Sequence, residues 1–219
     1  MSVLSIDNIS YTYSGTTKKV LNNANASFDA GKLYCIMGKS GAGKSTLLSL
    51  ISGLDYCTSG KIYYNGKDLR KINRDDYRAK NIGVIFQAYN LILTSTALEN
   101  IILAMQISGS KEKNKKSAAY QFLEKVGIDK ETAERKILKL SGGEQQRVGI
   151  SRALSHNPDV IIADEPTGNL DPDTEKEVMS LLQDLAHNEN KCVIVVTHSK
   201  QVSKFADEIL ILNRGTLNN

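Results

Sequence analysis

Residues 38–45 read GKSGAGKS. The stretch satisfies the pattern G-x-x-x-x-G-K-[ST], and its neighbours supply the context that pattern needs. Before it, Leu33 to Met37 is a short apolar run that reads as a strand. After it, Ser45 to Leu54 sets Leu47, Leu48, Leu50, Ile51 and Leu54 at helical spacing, closed by Ser52-Gly53. A glycine-rich turn between strand and helix is built to cradle phosphate. The backbone through Gly38, Ser40, Gly41, Ala42 and Gly43 folds tightly, N–H groups inward, and the helix adds the positive end of its dipole. Lys44 is placed to reach the β- and γ-phosphates. Ser45 is placed to hold Mg²⁺ through its hydroxyl, and Thr46 to help on the α-phosphate side.

Outward from this loop, strand and helix signals alternate. Val3 to Ile9, Ala26 to Phe28, and Lys61 to Tyr64 before Asn65-Gly66 read as strands on the amino-terminal side, as does Ile82 to Phe86. Between Leu91 and Lys139 helical spacing takes over, notably at Ala97 to Ile107 and Lys116 to Val126. Strands return at Asp159 to Ala163, Lys191 to Val196 and Ile209 to Leu212. An amphipathic helix, Asp173 to His187, places Val178, Leu181, Leu182 and Leu185 on one face. Continuous β-branched runs mean strands covered on both faces, as in a parallel sheet between helices. The reading is one domain, 1–219, with an α/β core over 1–87 and 159–219 and a helical insertion over 88–158.

With 219 residues, 41% hydrophobic and 24% charged, the chain can bury a large core. No stretch approaches the roughly 18 apolar residues that cross a bilayer. The start, MSVLSIDNIS, lacks the basic and apolar regions of a signal peptide. The expectation is a cytoplasmic chain whose membrane role comes through a partner. A net charge of +4, with both signs interspersed, leaves no nucleic-acid footprint. The run KEKNKK, Lys111 to Lys116, reads as a solvated loop or helix start. Cys35, Cys57 and Cys192 have no metal-ligand spacing and read as free thiols in a reducing compartment.

A second constellation lies downstream. The strand ending Val160-Ile161-Ile162-Ala163 runs into Asp164-Glu165. Carboxylates at the carboxyl end of a parallel strand lie at the ligand crevice. Asp164 is placed to take Mg²⁺ through water, and Glu165 to orient or deprotonate an attacking water. Leu140 to Gln146 then reads LSGGEQQ. Ser141 is a helix cap, and Gly142 and Gly143 leave that helix start open to an anion. One molecule does not need two phosphate-binding helix ends on one nucleotide unless they face each other across a dimer.

LSGGEQQ resembles the signature motif of the ATP-binding cassette family, and other family elements accompany it in order across essentially the whole chain. Tyr13 resembles the aromatic that stacks on adenine, although Tyr11 competes for the role. Gln87 resembles the glutamine linking the ATP site to the helical subdomain, which implies a place among the catalytic and metal-binding residues. Asn169-Leu170-Asp171 resembles the loop joining two monomers. His198 resembles the switch histidine, a neutral imidazole donating to the γ-phosphate or the attacking water. The resemblance implies a phosphate-loop NTPase core with a mostly parallel sheet, an N-terminal antiparallel β subdomain and an inserted α-helical subdomain. It implies ATP and Mg²⁺, and it adds Lys44 and Glu165 as catalytic and Ser141, Gly142, Gly143 and Glu144 as nucleotide-binding. It implies a homodimer around two ATP and a transmembrane permease partner.

Two stretches, IGVIFQAYNLILTSTAL from Ile82 and DEPTGNLD from Asp164, look like the cassettes of macrolide and antimicrobial-peptide exporters, lipoprotein-release machines and a related cell-division cassette. That branch implies an extracytoplasmic adaptor as a further partner. A regulatory cell-division cassette stays open as an alternative. A DNA-repair type is disfavoured because no coiled coil or zinc module separates the motifs. The face from Tyr89-Asn90 to Thr96, with Leu91 and Leu93, is where a permease helix is expected to dock. The end soon after Gly215 suggests no appended regulatory domain. Gly149 and Ser151 stand where alanine is more usual, and Gly149 suggests close packing.

Overall fold

The computed structural model describes residues 2–218. In chain order its strands are β1 (Ser2–Thr12), β2 (Lys19–Asp29), β3 (Lys32–Met37), β4 (Ser59–Tyr64), β5 (Lys67–Asp68), β6 (Ile82–Ile85), β7 (Val160–Asp164), β8 (Cys192–Thr197), β9 (Glu208–Asn213) and β10 (Thr216–Asn218). Its α-helices are α1 (Lys44–Ile51), α2 (Arg74–Lys80), α3 (Ala97–Ile107), α4 (Lys115–Lys125), α5 (Lys130–Ala133), α6 (Gly142–Leu154), α7 (Pro172–His187) and α8 (Lys200–Ser203).

Two sheets form. The antiparallel one runs β2-β1-β4-β5, and the other runs β10-β9-β3-β8-β7-β6, parallel except for β10. The expected α/β architecture with an antiparallel N-terminal sheet is therefore present. The β1 strand is longer than its apolar run because it bulges. Its register shifts between Ile6 and Ile9, Asn8 takes φ 49°, and Asp7 and Asn8 face solvent before the buried Ile9 resumes the pattern. Helix α2 escapes apolar periodicity because Tyr77 is its one buried residue; Asn73 starts it by accepting from the Asp75 and Asp76 N–H groups.

The parallel sheet is covered on both faces, which explains its unbroken apolar strands. Along β8, Cys192, Ile194 and Val196 face a core shared with α1 and the antiparallel sheet, including Leu4, Phe28, Leu47 and Ile51. Val193 and Val195 face the opposite core, shared with Val178, Leu182 and Leu185 of α7. Each such side chain contributes about 1.5–3 kcal/mol on burial. The second core runs on without a break into the helical insertion, through Leu98, Ile101 and Met105 of α3 and Leu123 of α4. The insertion therefore packs onto the sheet as an extension of one core.

Helix α6 carries two internal flaws. A Cβ added at Gly149 would meet nothing nearer than the Tyr89 carbonyl at 3.8 Å, so close packing does not demand this glycine. Ser151 is fully buried, and its hydroxyl has no hydrogen-bond partner. Gly149→Ala should raise unfolding stability by about 0.5–1 kcal/mol. Adding Ser151→Ala should bring the total gain to about 1.5–4 kcal/mol by removing an unsatisfied hydroxyl. Urea denaturation reads both, and a lowered midpoint would refute the packing argument.

Candidate nucleotide site

The parallel strands deliver their functional residues to one edge. β3 opens into Gly38–Gly43, β6 into Gln87, β7 ends at Asp164 and Glu165, and β8 ends at Thr197 before His198. This is the ligand crevice of an open α/β sheet. The strand order β3-β8-β7-β6 then sets the lateral order of loop, His198, acidic pair and Gln87.

The loop after β3 is shaped by glycine. Gly41 and Gly43 take φ 74° and 104°, and a Cβ at Gly43 would stand 3.0 Å from the Val20 carbonyl. Gly38 is tighter still, because a Cβ there would lie 2.6 Å from the Leu212 carbonyl of β9. No side chain caps α1, so its first N–H groups stay available to an anion. Lys44 folds back over the loop, its Nζ donating to the Gly38 carbonyl at 2.7 Å and the Lys39 carbonyl at 3.2 Å. The Ser40, Gly41 and Ser45 positions are exposed at the mouth, Ala42 is half-buried, and Thr46 is buried.

The competition between the two tyrosines is decided by surroundings. Tyr11 is 8% exposed, its hydroxyl tied to Asp55, which pushes the phenol up to about 12. Tyr13 is 50% exposed and packs edge-on against Tyr11, with ring centroids 5.0 Å apart. Its hydroxyl lies 2.9 Å from the Thr46 hydroxyl, which ties the ring to the start of α1. Only Tyr13 offers an open face beside the loop.

At the end of β7, burial raises the Asp164 carboxyl above its usual range, the neighbouring Glu165 adds to the rise, and Lys44 opposes it. Glu165 sits in the left-handed region at φ 45°. Its N–H donates to the Val196 carbonyl at 2.9 Å, and its carboxylate accepts from the Thr197 hydroxyl at 2.9 Å. His198 Nδ1 meets the other carboxylate oxygen at 2.7 Å. A carboxylate only accepts, so Nδ1 carries the proton in this pair. In this structure the His198 Nδ1–H is engaged by Glu165, which leaves Nε2 as the ring nitrogen without a side-chain partner. Thr197, which motif reading missed, is detectable as the one hydroxyl ending an apolar strand. Gln87 is exposed on the same edge, its Nε2 3.3 Å from where a Gly168 Cβ would stand.

The LSGGEQQ segment starts α6 as expected. The Ser141 hydroxyl accepts from the Glu144 N–H at 3.3 Å, and the Glu144 carboxylate accepts from the Ser141 N–H at 2.7 Å. This capping box holds one oxygen of the Glu144 carboxylate at the helix start. Ser141 and Gly142 are exposed. Gly142 lies beneath the Tyr89 hydroxyl, and a Cβ at Gly143 would come within 3.0 Å of Thr174. The other end of α6 lies at the amino end of β6, where the Ala153 carbonyl crowds Gly83. The signature end therefore shares the edge of the phosphate loop, but β6 is three strand spacings from β3, about 14 Å. Asp171, in the Asn169–Asp171 loop, accepts from the Asp173 and Thr174 N–H groups and starts α7 ahead of Pro172. Among the described residues no cluster of three His, Cys, Asp or Glu is placed to hold a metal, and all three cysteines are free.

Residues 21–168 match the family model described as ABC transporter. An uncharacterized ABC transporter ATP-binding protein, YclH of Bacillus subtilis, is 50% identical over 99% of this chain and 96% of its own length. The lipoprotein-releasing system ATP-binding protein LolD of Wigglesworthia glossinidia brevipalpis is 39% identical over 99% of this chain and 96% of its own. Among solved structures, the ATP-binding cassette MJ0796, in a dimeric post-hydrolysis state bound to ADP and Pi, superposes with a TM-score of 0.90 at 35% identity. It covers 99% of this chain, which covers 97% of it. On fold, edge geometry and sequence alike, this chain belongs to the ABC transporter family, as an ATP-binding subunit and an ATPase.

Proposed function

We propose that two copies of this chain close around two ATP molecules, each phosphate loop facing the signature end of the other copy, and that this closure drives a membrane permease. The carrying observation is the pair of open helix N-termini on one edge, at α1 and α6, too far apart in one copy to share a phosphate chain. The dimeric state of MJ0796 supports the arrangement.

In this reading Tyr13 stacks on adenine. The loop N–H groups with Lys44 hold the phosphates, and Thr46 flanks the α-phosphate. The residues fit Mg²⁺: Ser45 offers an exposed hydroxyl, while Asp164 is a part-buried carboxyl beside a second carboxyl, an arrangement that a divalent cation stabilises. Mg²⁺ would be held there with Gln87 and would neutralise phosphate charge. Glu165, fixed by Thr197 and His198, accepts the proton of the attacking water, and its rigid setting limits that water's orientations. His198, level with the phosphate loop and held against Glu165 through Nδ1, faces the γ-phosphate. Ser141, Gly142 and Gly143 meet the partner's γ-phosphate.

Of the expected docking face, Leu91 is 9% exposed and belongs to the core, while Ile92 and Leu93 are 44% and 49% exposed and stay at the surface. A groove of about 250 Å³ also lies between α2, β6, α3 and α6, lined by Leu54, Phe86, Ala104 and Ile107. Leu54 and Ile107 are 55% and 70% exposed, and we take this groove as the seat of a permease helix. Among the described residues no helix is long and apolar enough to cross a membrane. We place the chain at the cytoplasmic membrane face through that permease. The likeness to LolD favours the mechanical export branch, with a lipoprotein, peptide or antibiotic as cargo and an extracytoplasmic adaptor in the assembly.

Glu165→Gln should slow ATP hydrolysis by roughly 10²-fold or more and accumulate an ATP-bound dimer on size exclusion with light scattering. Normal turnover would remove Glu165 as the base. Ser141→Arg should bind ATP as a monomer, and persistence of the ATP dimer would count against the facing arrangement. Ile107→Asp should dimerise with ATP yet fail to pull down the permease from native membranes; undiminished capture would move the docking site elsewhere.

A further inference from the structure

Arg152 lies on α6 about three turns beyond the Ser141 cap, and its guanidinium leaves the helix to bind the chain beyond β6. Nη2 donates to the Tyr89 carbonyl at 3.2 Å, and Nη1 donates to the carbonyl of Asn90. Those two residues are consecutive and both left-handed, at φ 59° and 52°. Asparagine enters that region readily, but a bulky tyrosine rarely does. The turn's own support is slight: the Tyr89 N–H donates to the Phe86 carbonyl at 3.1 Å and the Asn90 N–H to the Ala88 carbonyl at 2.6 Å. Two successive carbonyls turned toward one helix call for a forked donor, which a guanidinium is and an ammonium is not.

The turn connects two parts of the nucleotide edge. Gln87 stands two residues before Tyr89, its amide against Gly168 in the loop that follows Glu165. The Tyr89 hydroxyl lies over Gly142 at the signature end, and its ring packs against the large core. We propose that Arg152 is a positioning residue: it clamps the Tyr89–Asn90 turn in its left-handed form and so sets Gln87 against the catalytic loop. This rests on the reading above that Gln87 serves at the nucleotide. Arg152 stands about three turns from the Ser141 end of α6 and is bonded to the Tyr89–Asn90 turn, so on this proposal its removal acts on turnover through Gln87.

The test is steady-state ATP hydrolysis by the full chain with Mg²⁺. Arg152→Met keeps the stem and removes the fork; kcat should fall roughly tenfold while KM for ATP moves less than about threefold. Glycine takes a positive φ freely, so Asn90→Gly in the Arg152→Met background should recover kcat by roughly threefold. Arg152→Lys, whose shorter-reaching ammonium gathers its three donors at one atom and lacks the planar fork, should stay close to Arg152→Met. A simple packing role for Arg152 would show no such recovery, and a folded double variant without it overturns the clamp, as does an unchanged kcat in Arg152→Met. Asn90→Val, with Arg152 in place, strains the same turn from the other side and should give the same loss in kcat; normal turnover there also overturns the proposal, whatever the folding of Arg152→Met. Gln87→Ala, assayed in parallel, separates the two ideas. If it turns over normally, the role given to Gln87 fails; if it is slow while Arg152→Met is normal, only the clamp fails.

Discussion

The parallel pairing of β3 between β8 and β9 is the constraint on which the nucleotide edge depends. Ile36 lies level with Val196, and Val196 lies level with Asp164 of β7. Gly38 and His198 therefore leave the sheet at one height, with Glu165 one residue below them, level with Thr197. A slip of one residue in any of these pairings would carry a core side chain to the wrong face and separate the phosphate loop from the acidic pair. The two cores prevent that slip, because both faces of β3, β7 and β8 are covered. Stability of the sheet and geometry of the site are thus the same fact seen from two sides. The Leu212 carbonyl at Gly38 extends the argument to β9: the loop turns so close to its neighbour strand that a side chain there would collide with main chain.

On the proposed facing arrangement, the same edge also explains why one copy is incomplete. Its helix starts at α1 and α6 each present unpaired N–H groups, and each has a different neighbourhood. The α1 end is flanked by Lys44, folded over the phosphate loop, and by the Tyr13–Thr46 contact. The α6 end is finished by its Ser141–Glu144 box and is exposed. A capped, rigid, exposed helix start is prepared for a ligand that arrives from outside. In the proposed facing arrangement a second copy brings that ligand, and the related cassette MJ0796 is a dimer.

Much of this was legible in the sequence because it depends on local rules. GKSGAGKS between a strand and a helix, Ser141 as a cap, and acidic residues ending an apolar strand each state their backbone context within a few residues. The illegible parts depend on contacts between distant segments. Leu91 is apolar in a loop, and nothing local says whether it faces solvent or the core; the packing of the insertion onto the sheet buries it. Gly149 suggested close packing, yet the only neighbour a side chain would meet is the Tyr89 carbonyl at an ordinary distance. His198 was legible in position and not in its hydrogen bond, because its partner Glu165 comes from another strand. Arg152 reads as an ordinary helix residue, since its carbonyl partners lie more than sixty positions earlier.

Backbone strain gives an independent measure of where this fold serves function over stability. Among the described residues, the non-glycine residues with positive φ are mostly asparagines, Asn8, Asn23, Asn65, Asn157 and Asn190, which tolerate that region and sit in bulges and turns. Arg214 belongs with them, opening the tight turn between β9 and β10 beside Gly215. Tyr89, Asn90 and Glu165 differ in place, and Tyr89 and Glu165 also in type. All three follow the carboxyl ends of β6 and β7, and each left-handed tyrosine or glutamate costs on the order of 1–3 kcal/mol. Such a conformation persists only where its surroundings hold it. At Glu165 they are the Val196 carbonyl, Thr197 and His198. At Tyr89 and Asn90 they are Arg152 and the core beneath the tyrosine ring. Strain collected on adjacent strands of one sheet, and held by side chains from other elements, sets a carboxylate against Thr197 and His198 and an amide against Gly168. A relaxed backbone at those positions would leave the fold more stable and the edge without its aim.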